Sequence, residues 1–337
     1  MIHEEYLKKL FKFYPWVILL IVLVFILFNS CYQFFSFIYI AEPGKTIYIP
    51  PKASLKYIGD ILEKEGIVKS SFYFRVYLYL IGEHKSVKAG YYTFKGTIKL
   101  KDVANQLIKG GQGITITFPE GLTLIEIQDI LNKNGLRVNL TKYKLKDFKD
   151  IDLIKYFPED ASLEGFLAPD TYQFFKEESE KEIIGKFLKN FSKKFLPEFL
   201  KRPEANFYQK LILASILERE AKTPNDMKLV AGILEKRYKY NKKLEVDATI
   251  AYVKCKSYPC DWEVKKSDLK IDSPYNTYLY LGYPPTPISN PGLNAIIASL
   301  NPIDSEYLYY LSNKNGEVIF SKTLKEHQRN IKKYLKD

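Results

Sequence analysis

Leu211-Ile-Leu-Ala-Ser-Ile-Leu-Glu-Arg-Glu-Ala221 is the stretch whose reading decides the rest of the chain. Seven uncharged, mostly apolar residues run straight into two carboxylates, Glu218 and Glu220. The residues are good helix formers, and no Gly or Pro follows until Pro224. A helix apolar on nearly every side is a buried helix. A carboxyl at the end of such a helix sits where water is scarce, so its pKa rises. That is what a general acid needs to hold a proton near neutral pH. Taken alone, the commoner reading is a surface helix end with solvated glutamates, so the rest of the chain must decide.

The chain has 337 residues, enough for two domains with real cores. A hydrophobic content of 46%, with 27 Tyr and 22 Phe, excludes a mainly disordered protein. The formal charge of +12 favours anionic partners such as lipid headgroups or anionic wall polymers. The lysines are scattered and no basic run interleaves with a nucleic-acid module, so nucleic acid is not expected as a partner. Three cysteines make no disulfide framework, although Cys255 and Cys260 could close a small loop in an oxidising compartment. They have no nearby His, and His3, His84 and His327 are far apart, which argues against a metal site or a His-based triad. No cofactor is expected.

Residues 13–41 carry no charge and follow Lys8, Lys9 and Lys12. A helix needs about 20 mostly apolar residues to cross a bilayer. The expectation is a cytoplasmic tail at 1–12 and an uncleaved single-pass anchor at 13–41, with the bulk of the chain exported across the cell (inner) membrane. A small unit follows at 45–111. Thr46–Ile49 reads as a strand, Ser54 caps a helix through Glu65, a second helix runs to Leu80, and Tyr91–Phe94 is a strand, followed by a helix over Leu100–Lys109. Strand, two helices, strand is the order of the glycan-binding LysM module.

An internal repeat joins this unit to the next. Ile49-Pro-Pro-Lys-Ala-Ser-Leu through Gly66 aligns with Phe118-Pro-Glu-Gly-Leu-Thr-Leu through Gly135. Each copy reads as a strand end, a capped amphipathic helix and a Gly stop; duplication and convergence account for it equally well. Beyond it, Leu140–Tyr156 reads as a loop or surface helix. Helices are expected at Glu180–Leu200, Asn206–Ala221, Asn225–Tyr238, Leu293–Leu300 and Leu324–Tyr334. Strands are expected at Tyr307–Leu311 and Val318–Ser321, around the turn Asn313-Lys-Asn-Gly316. Residues 273–292 are too rich in Pro and Gly for helix or strand, and a long loop of this kind is usually functional. The class is α+β, with a larger mixed domain at 112–337.

Taken in order, these motifs resemble the MltG (YceG-like) family of membrane-anchored endolytic murein transglycosylases. The motifs are Phe118-Pro-Glu-Gly121, Leu163-Glu-Gly-Phe-Leu-Ala-Pro-Asp-Thr-Tyr172, Leu213-Ala-Ser-Ile-Leu-Glu-Arg-Glu220, Val230-Ala-Gly-Ile-Leu-Glu-Lys-Arg237, Leu244-Glu-Val-Asp-Ala-Thr249, Ser273-Pro-Tyr-Asn-Thr-Tyr278, Pro284-Pro285 through Asn290-Pro-Gly292, and Phe320-Ser-Lys-Thr-Leu-Lys-Glu-His327. They span roughly Gly113 to the C-terminus. The resemblance implies cleavage of the MurNAc–GlcNAc β-1,4 bond within nascent peptidoglycan strands. The C6 hydroxyl of the same MurNAc acts in place of water and leaves a 1,6-anhydro end. Hydrolytic glycosidases mostly need two carboxyl groups; with an intramolecular nucleophile, one can act first as acid and then as base.

The resemblance places the catalytic role on Glu220 and leaves Glu218 a structural one behind it. The helical wheel alone does not choose. Glu218 shares a face with Phe207, Leu211 and Ala214, and Glu220 lies about 200° away on the side of Leu213 and Ile216. Asp247, Thr249, Tyr275, Asn276 and Thr277 are the expected substrate-binding wall, although each alone fits a turn or cap as well. Glu164 and Asp170 could titrate in the cleft, but loop carboxylates more often accept nearby backbone N–H groups. Three residues depart from the family's usual pattern: Glu245 where Gln is common, Ala248 where Pro is common, and Thr286 where Gly is common. Peptidoglycan strands, the membrane and peptidoglycan synthases are the implied partners. The competing readings are a non-catalytic tether of the wall-synthesis machinery and an ordinary hydrolase.

Overall fold

The computed structural model describes residues 15–29, 32, 37–50, 52–111, 113–255, 257–313 and 316–335. The chain divides into two compact units, Met1–Gly113 and Ile114–Asp337.

In the first unit, β1 (Phe37–Ile49) pairs antiparallel with β2 (Gly90–Lys99), with a register shift between Ile40 and Lys45. Between them run α1 (Leu55–Lys64) and α2 (Ser71–Leu80), and α3 (Leu100–Lys109) follows β2. The predicted order of strand, two helices and strand is therefore present. The core is aliphatic with three aromatics, Phe74, Tyr92 and Phe94, packed on Leu62, Leu78 and Leu107.

The first strand corrects the sequence reading. It begins at Phe37, nine residues before Thr46, so residues 37–41 belong to a sheet and not to the expected anchor. Ile38 and Ile40 alternate with Tyr39 and send one face to the core, a period-two pattern that the longer apolar run hides. Residues 15–29 are helical with every side chain exposed. No helix among the described residues is long and apolar enough to cross a membrane. The expected tail at 1–12, and residues 13, 14, 30, 31 and 33–36 of the expected span, lie outside the described residues.

The second unit holds α4 (Leu124–Lys133), α5 (Glu180–Lys194), α6 (Leu196–Leu200), α7 (Phe207–Glu220), α8 (Pro224–Lys239), α9 (Asp247–Lys254), α10 (Leu293–Leu300) and α11 (Leu324–Tyr334). Two antiparallel pairs accompany them: β3 (Ile114–Phe118) with β4 (Asp170–Phe174), and β5 (Tyr309–Ser312) with β6 (Val318–Ser321). The mixed α+β class expected from the sequence holds. One long helix was expected over 180–200; it breaks at Phe195 because Pro197 cannot continue the ladder. Leu140–Tyr156 is a series of short 3-10 turns pinned by Leu140, Leu145 and Leu153, all buried.

Helix α7 is the spine of this unit. Leu211 through Leu217 are all buried, each Leu or Ile side chain worth about 2 kcal/mol in transfer from water. Asn206 caps its start by accepting from the Gln209 N–H at 3.1 Å. Ser215 is the one hydroxyl inside the buried run. It donates to the Ile212 carbonyl at 2.7 Å and accepts from the Ile288 N–H at 3.0 Å, while Ser289 donates to the Ser215 carbonyl at 2.9 Å. The Pro- and Gly-rich stretch is thereby fixed along the helix.

Candidate active site

Helix α7 ends at Glu220, and Ala221 is already extended. Two other segments close on this end. The Ser312 hydroxyl of β5 donates to the Glu220 carbonyl at 3.1 Å, and the neighbouring Tyr310 hydroxyl donates to the Glu220 carboxyl. From the start of α9, the backbone N–H of Ala248 donates to the same carboxyl. Glu220 is half-buried and opens onto a cavity of about 570 Å³. Arg219 and Trp262 form one wall of the cavity, and Tyr309 and His327 another.

The electrostatics follow from this placement. Loss of water pushes the Glu220 carboxyl up to about 7, and the nearby Asp247 charge pushes the same way. The Tyr310 and Ala248 donors, together with the Arg219 charge, pull it down. The net position lies near neutral pH, where a carboxyl can both give and take a proton. The Tyr310 hydroxyl is driven well above its ordinary range, chiefly by burial, so it stays a donor.

Asp247 is exposed at the mouth of α9 and accepts from the Tyr278 hydroxyl at 2.6 Å. Glu220 and Asp247 thus face one cavity. The other four predicted wall residues lie elsewhere. Thr249 and Thr277 are buried and hydrogen-bonded to each other at 3.0 Å. Thr249 also donates to the Val246 carbonyl, and Thr277 accepts from the Val246 N–H at 3.0 Å. Asn276 is buried, with its amide on the Leu269 and Ile271 carbonyls and its oxygen on the Tyr278 N–H at 2.9 Å. These three hold the loops that present Asp247 and Tyr278. Tyr275 bonds Thr286 at 2.8 Å and lines a separate cavity beside Tyr252.

Glu218, two residues before Glu220, points into the protein. Its carboxylate accepts from the Gly292 N–H at 2.8 Å and so caps α10. Burial raises its pKa. Glu164 is buried too. It accepts from the Leu124 N–H at 3.0 and 3.1 Å, the Tyr252 hydroxyl at 3.1 Å and the Asn290 amide at 3.0 Å, while burial pushes it up to about 8. Asp170 pairs with Lys194 and accepts from Asn190 at 2.8 Å, away from the cavity.

The three departures are also placed. Glu245 forms an ion pair with Arg237 at the cavity edge, so its charge is answered. Ala248 supplies the N–H that a proline lacks. Thr286 bonds Tyr275. Cys255 and Cys260 are joined, with Cα atoms 5.0 Å apart, just before Trp262. Among the described residues, no group of three or more His, Cys, Asp or Glu could hold a metal ion.

The sequence reading missed Tyr310, Tyr278, Trp262 and the Ala248 N–H. Tyr278 closes a motif whose earlier members were chosen. Tyr310 sits in an aromatic strand with nothing to mark it. Trp262 stacks on the Arg219 guanidinium at 3.4 Å, a pairing that only the folded loop makes. The N–H of Ala248 carries no side-chain signal at all.

The sequence pattern of the YceG-like family matches residues 47–333. The endolytic murein transglycosylase of Bacillus subtilis is 32% identical over 313 residues, which cover 86% of this chain and 84% of that protein. The enzyme of the same name from Streptococcus pneumoniae serotype 2 is 29% identical over 324 residues, 86% of this chain and 58% of the longer relative. Among solved structures, a YceG-like protein from Listeria monocytogenes matches with a TM-score of 0.53 and 30% identity, covering 85% of this chain and 99% of that one.

Proposed function

Because the chain belongs to the YceG-like family, we propose that it is an endolytic murein transglycosylase, a lyase that cuts inside peptidoglycan strands with Glu220 as its proton-transferring group. The observation that carries the choice of residue is the setting of Glu220. It faces the cavity with its pKa near neutral, whereas the Glu218 carboxylate is spent on the Gly292 N–H.

In this reading the protonated Glu220 carboxyl donates to the glycosidic oxygen between MurNAc C1 and GlcNAc. As the C1–O bond breaks, positive charge grows at C1, and the Asp247 carboxylate in the same cavity lowers its energy. The C6 hydroxyl of that MurNAc closes on C1, and its proton passes to the Glu220 carboxylate, which is ready for the next cut. No water is consumed. Tyr310 and the Ala248 N–H hold the carboxylate while it waits.

The test is mass spectrometry of products from uncross-linked strands cut by wild type and by Glu220→Gln. Wild type is expected to give anhydro ends, and the variant to lose about 10²–10⁴-fold in rate. An active Glu220→Gln moves the role to another carboxyl, with Glu218→Gln the next variant. Reducing ends in place of anhydro ends would make the enzyme a hydrolase. Binding without cutting would make it a tether.

The finer reading has three parts. The uncharged residues 13–36 anchor the chain in a membrane, with residues 1–12 on the cytoplasmic side; Trp16, Phe25 and Phe28, each at least 68% exposed, support this. The unit around β1 and β2 holds glycan in the LysM manner. The cut helps to end strand growth beside the synthases. Alkaline extraction of membranes checks the first part, because a chain lacking residues 1–36 should then appear in the soluble fraction.

A further inference from the structure

A second groove lies beyond the last turn of α8, at the opposite end of α7 from Glu220. It holds about 690 Å³ and adjoins a cavity of about 480 Å³ that shares Gln209, Tyr238 and Tyr283 as walls. Its floor is the ring pair of Tyr238 and Tyr283, with centroids 4.9 Å apart. Tyr238 is 46% exposed, and Tyr240 and Leu281 beside it are 60% and 61% exposed. An open cluster of this kind on a folded domain is expensive in water unless something uses it.

We propose that this groove is a distal subsite for the same glycan strand, binding N-acetylated sugars that carry carboxylate groups; the inference rests on the function proposed above. The chemistry fits that class. Tyrosine faces present negative π density to the C–H faces of sugar rings. Gln209 and Asn241 offer amides to N-acetyl groups. Lys239 and Lys242 line the rim, both exposed, and answer lactyl and peptide carboxylates.

The platform is held in advance. Asn241 takes a left-handed backbone conformation at φ 51°, and the Lys242 N–H donates to the Arg237 carbonyl at 2.8 Å. Lys239 ends the helix and Lys242 sits on its fixed stop, so little backbone order has to be gained on binding.

The groove and the acid's cavity are lined by neighbouring residues of one segment. Arg237 lines that cavity, and the next residue, Tyr238, lines the groove. Lys242 lies on the groove side of the following turn, and Glu245 on the cavity side. One strand crossing this turn touches both. Such a strand is gripped away from the bond being cut, which favours cleavage inside a chain and disfavours cleavage of fragments too short to reach.

The experiment uses the full chain as wild type, Tyr238→Ala and Lys242→Glu, with fluorescently labelled uncross-linked glycan strands as the probe. Affinity is read by anisotropy, product length by mass spectrometry, and folding by thermal melts. Either exposed substitution is expected to weaken binding of long strands about tenfold and to change the length distribution of the anhydro products. Tyr238→Trp, which keeps the stacking face, is expected to bind as wild type. Unchanged long-strand affinity in two folded variants overturns the subsite and leaves the enzyme standing. Tyr238-dependent binding without anhydro ends from wild type overturns the enzyme and leaves the groove standing.

Discussion

The two strand–helix–glycine segments, one in each unit, are nearly the same object locally. Ser54 accepts from the Tyr57 N–H at 3.2 Å, and Thr123 from the Glu126 N–H at 3.2 Å. Gly66 and Gly135 stop the helices at φ 68° and 81°, and Ile67 and Leu136 donate back to Leu62 and Leu131 at 2.8 and 3.0 Å. Even the odd turn before the cap repeats, with Lys52 at φ 62° where the second copy has Gly121 at φ 82°. The copies differ in what leans on them. Lys52 is exposed. Gly121 has the Arg219 guanidinium 3.3 Å from where a Cβ would stand, and its carbonyl accepts from Arg219. Local rules build the same shape twice; the glycine and the fuller cap appear where that shape carries the residues beside Glu220.

The largest effect is expected from Glu164→Ala. It strips the partner from the Leu124 N–H, the Tyr252 hydroxyl and the Asn290 amide, and no such acid serves the first copy among the described residues, so melting of the second unit should show a loss of about 3–5 kcal/mol. Gly121→Ala places a side chain in a left-handed turn against Arg219 and should cost about 1–2 kcal/mol. Lys52→Gly at the matching position should be neutral or slightly stabilising, and a loss there would mean the turns are not equivalent. At the caps, Thr123→Ala removes half of a capping box and should cost more than Ser54→Ala, with both near 1 kcal/mol in chemical denaturation.

Acidity separates the copies further. Glu164 and Glu220 both have folded pKa values raised above the unfolded range, to about 8 and about 7. The folded state therefore binds more protons, so stability should fall as pH rises from about 4.3, the unfolded value, towards 8. Glu164→Gln should flatten that slope. In activity, kcat/KM should decline above about pH 7 as Glu220 loses its proton. Tyr310→Phe and Ala248→Pro each remove a donor that favours the carboxylate, so each should move that decline to higher pH. A decline that stays in place would show that Glu220 is not the group being titrated.

Much of this was legible in the sequence. An apolar run ending in charge gave α7, cap and stop residues gave the repeat, and Asn313 to Gly316 marked the last hairpin. The start of β1 was hidden because its alternating residues continue a longer apolar run. Choosing between Glu218 and Glu220 needed tertiary structure: both end one helix, and only the fold shows that Gly292 claims the first. Thr249, Asn276 and Thr277 are polar residues in marked motifs, yet their groups are satisfied internally; residue type alone does not say whether a hydroxyl faces water or a neighbouring loop.

The acidity of Glu220 depends on segments made long after it. Ser312 and Tyr310 close over the helix end from a strand about 90 residues downstream. Burial raises its pKa only once the helix end is covered; on an open chain Glu220 is an ordinary glutamate, ionised at neutral pH and without a proton to give. The proton that Glu220 can give is thus a property of the finished fold and not of helix α7 alone.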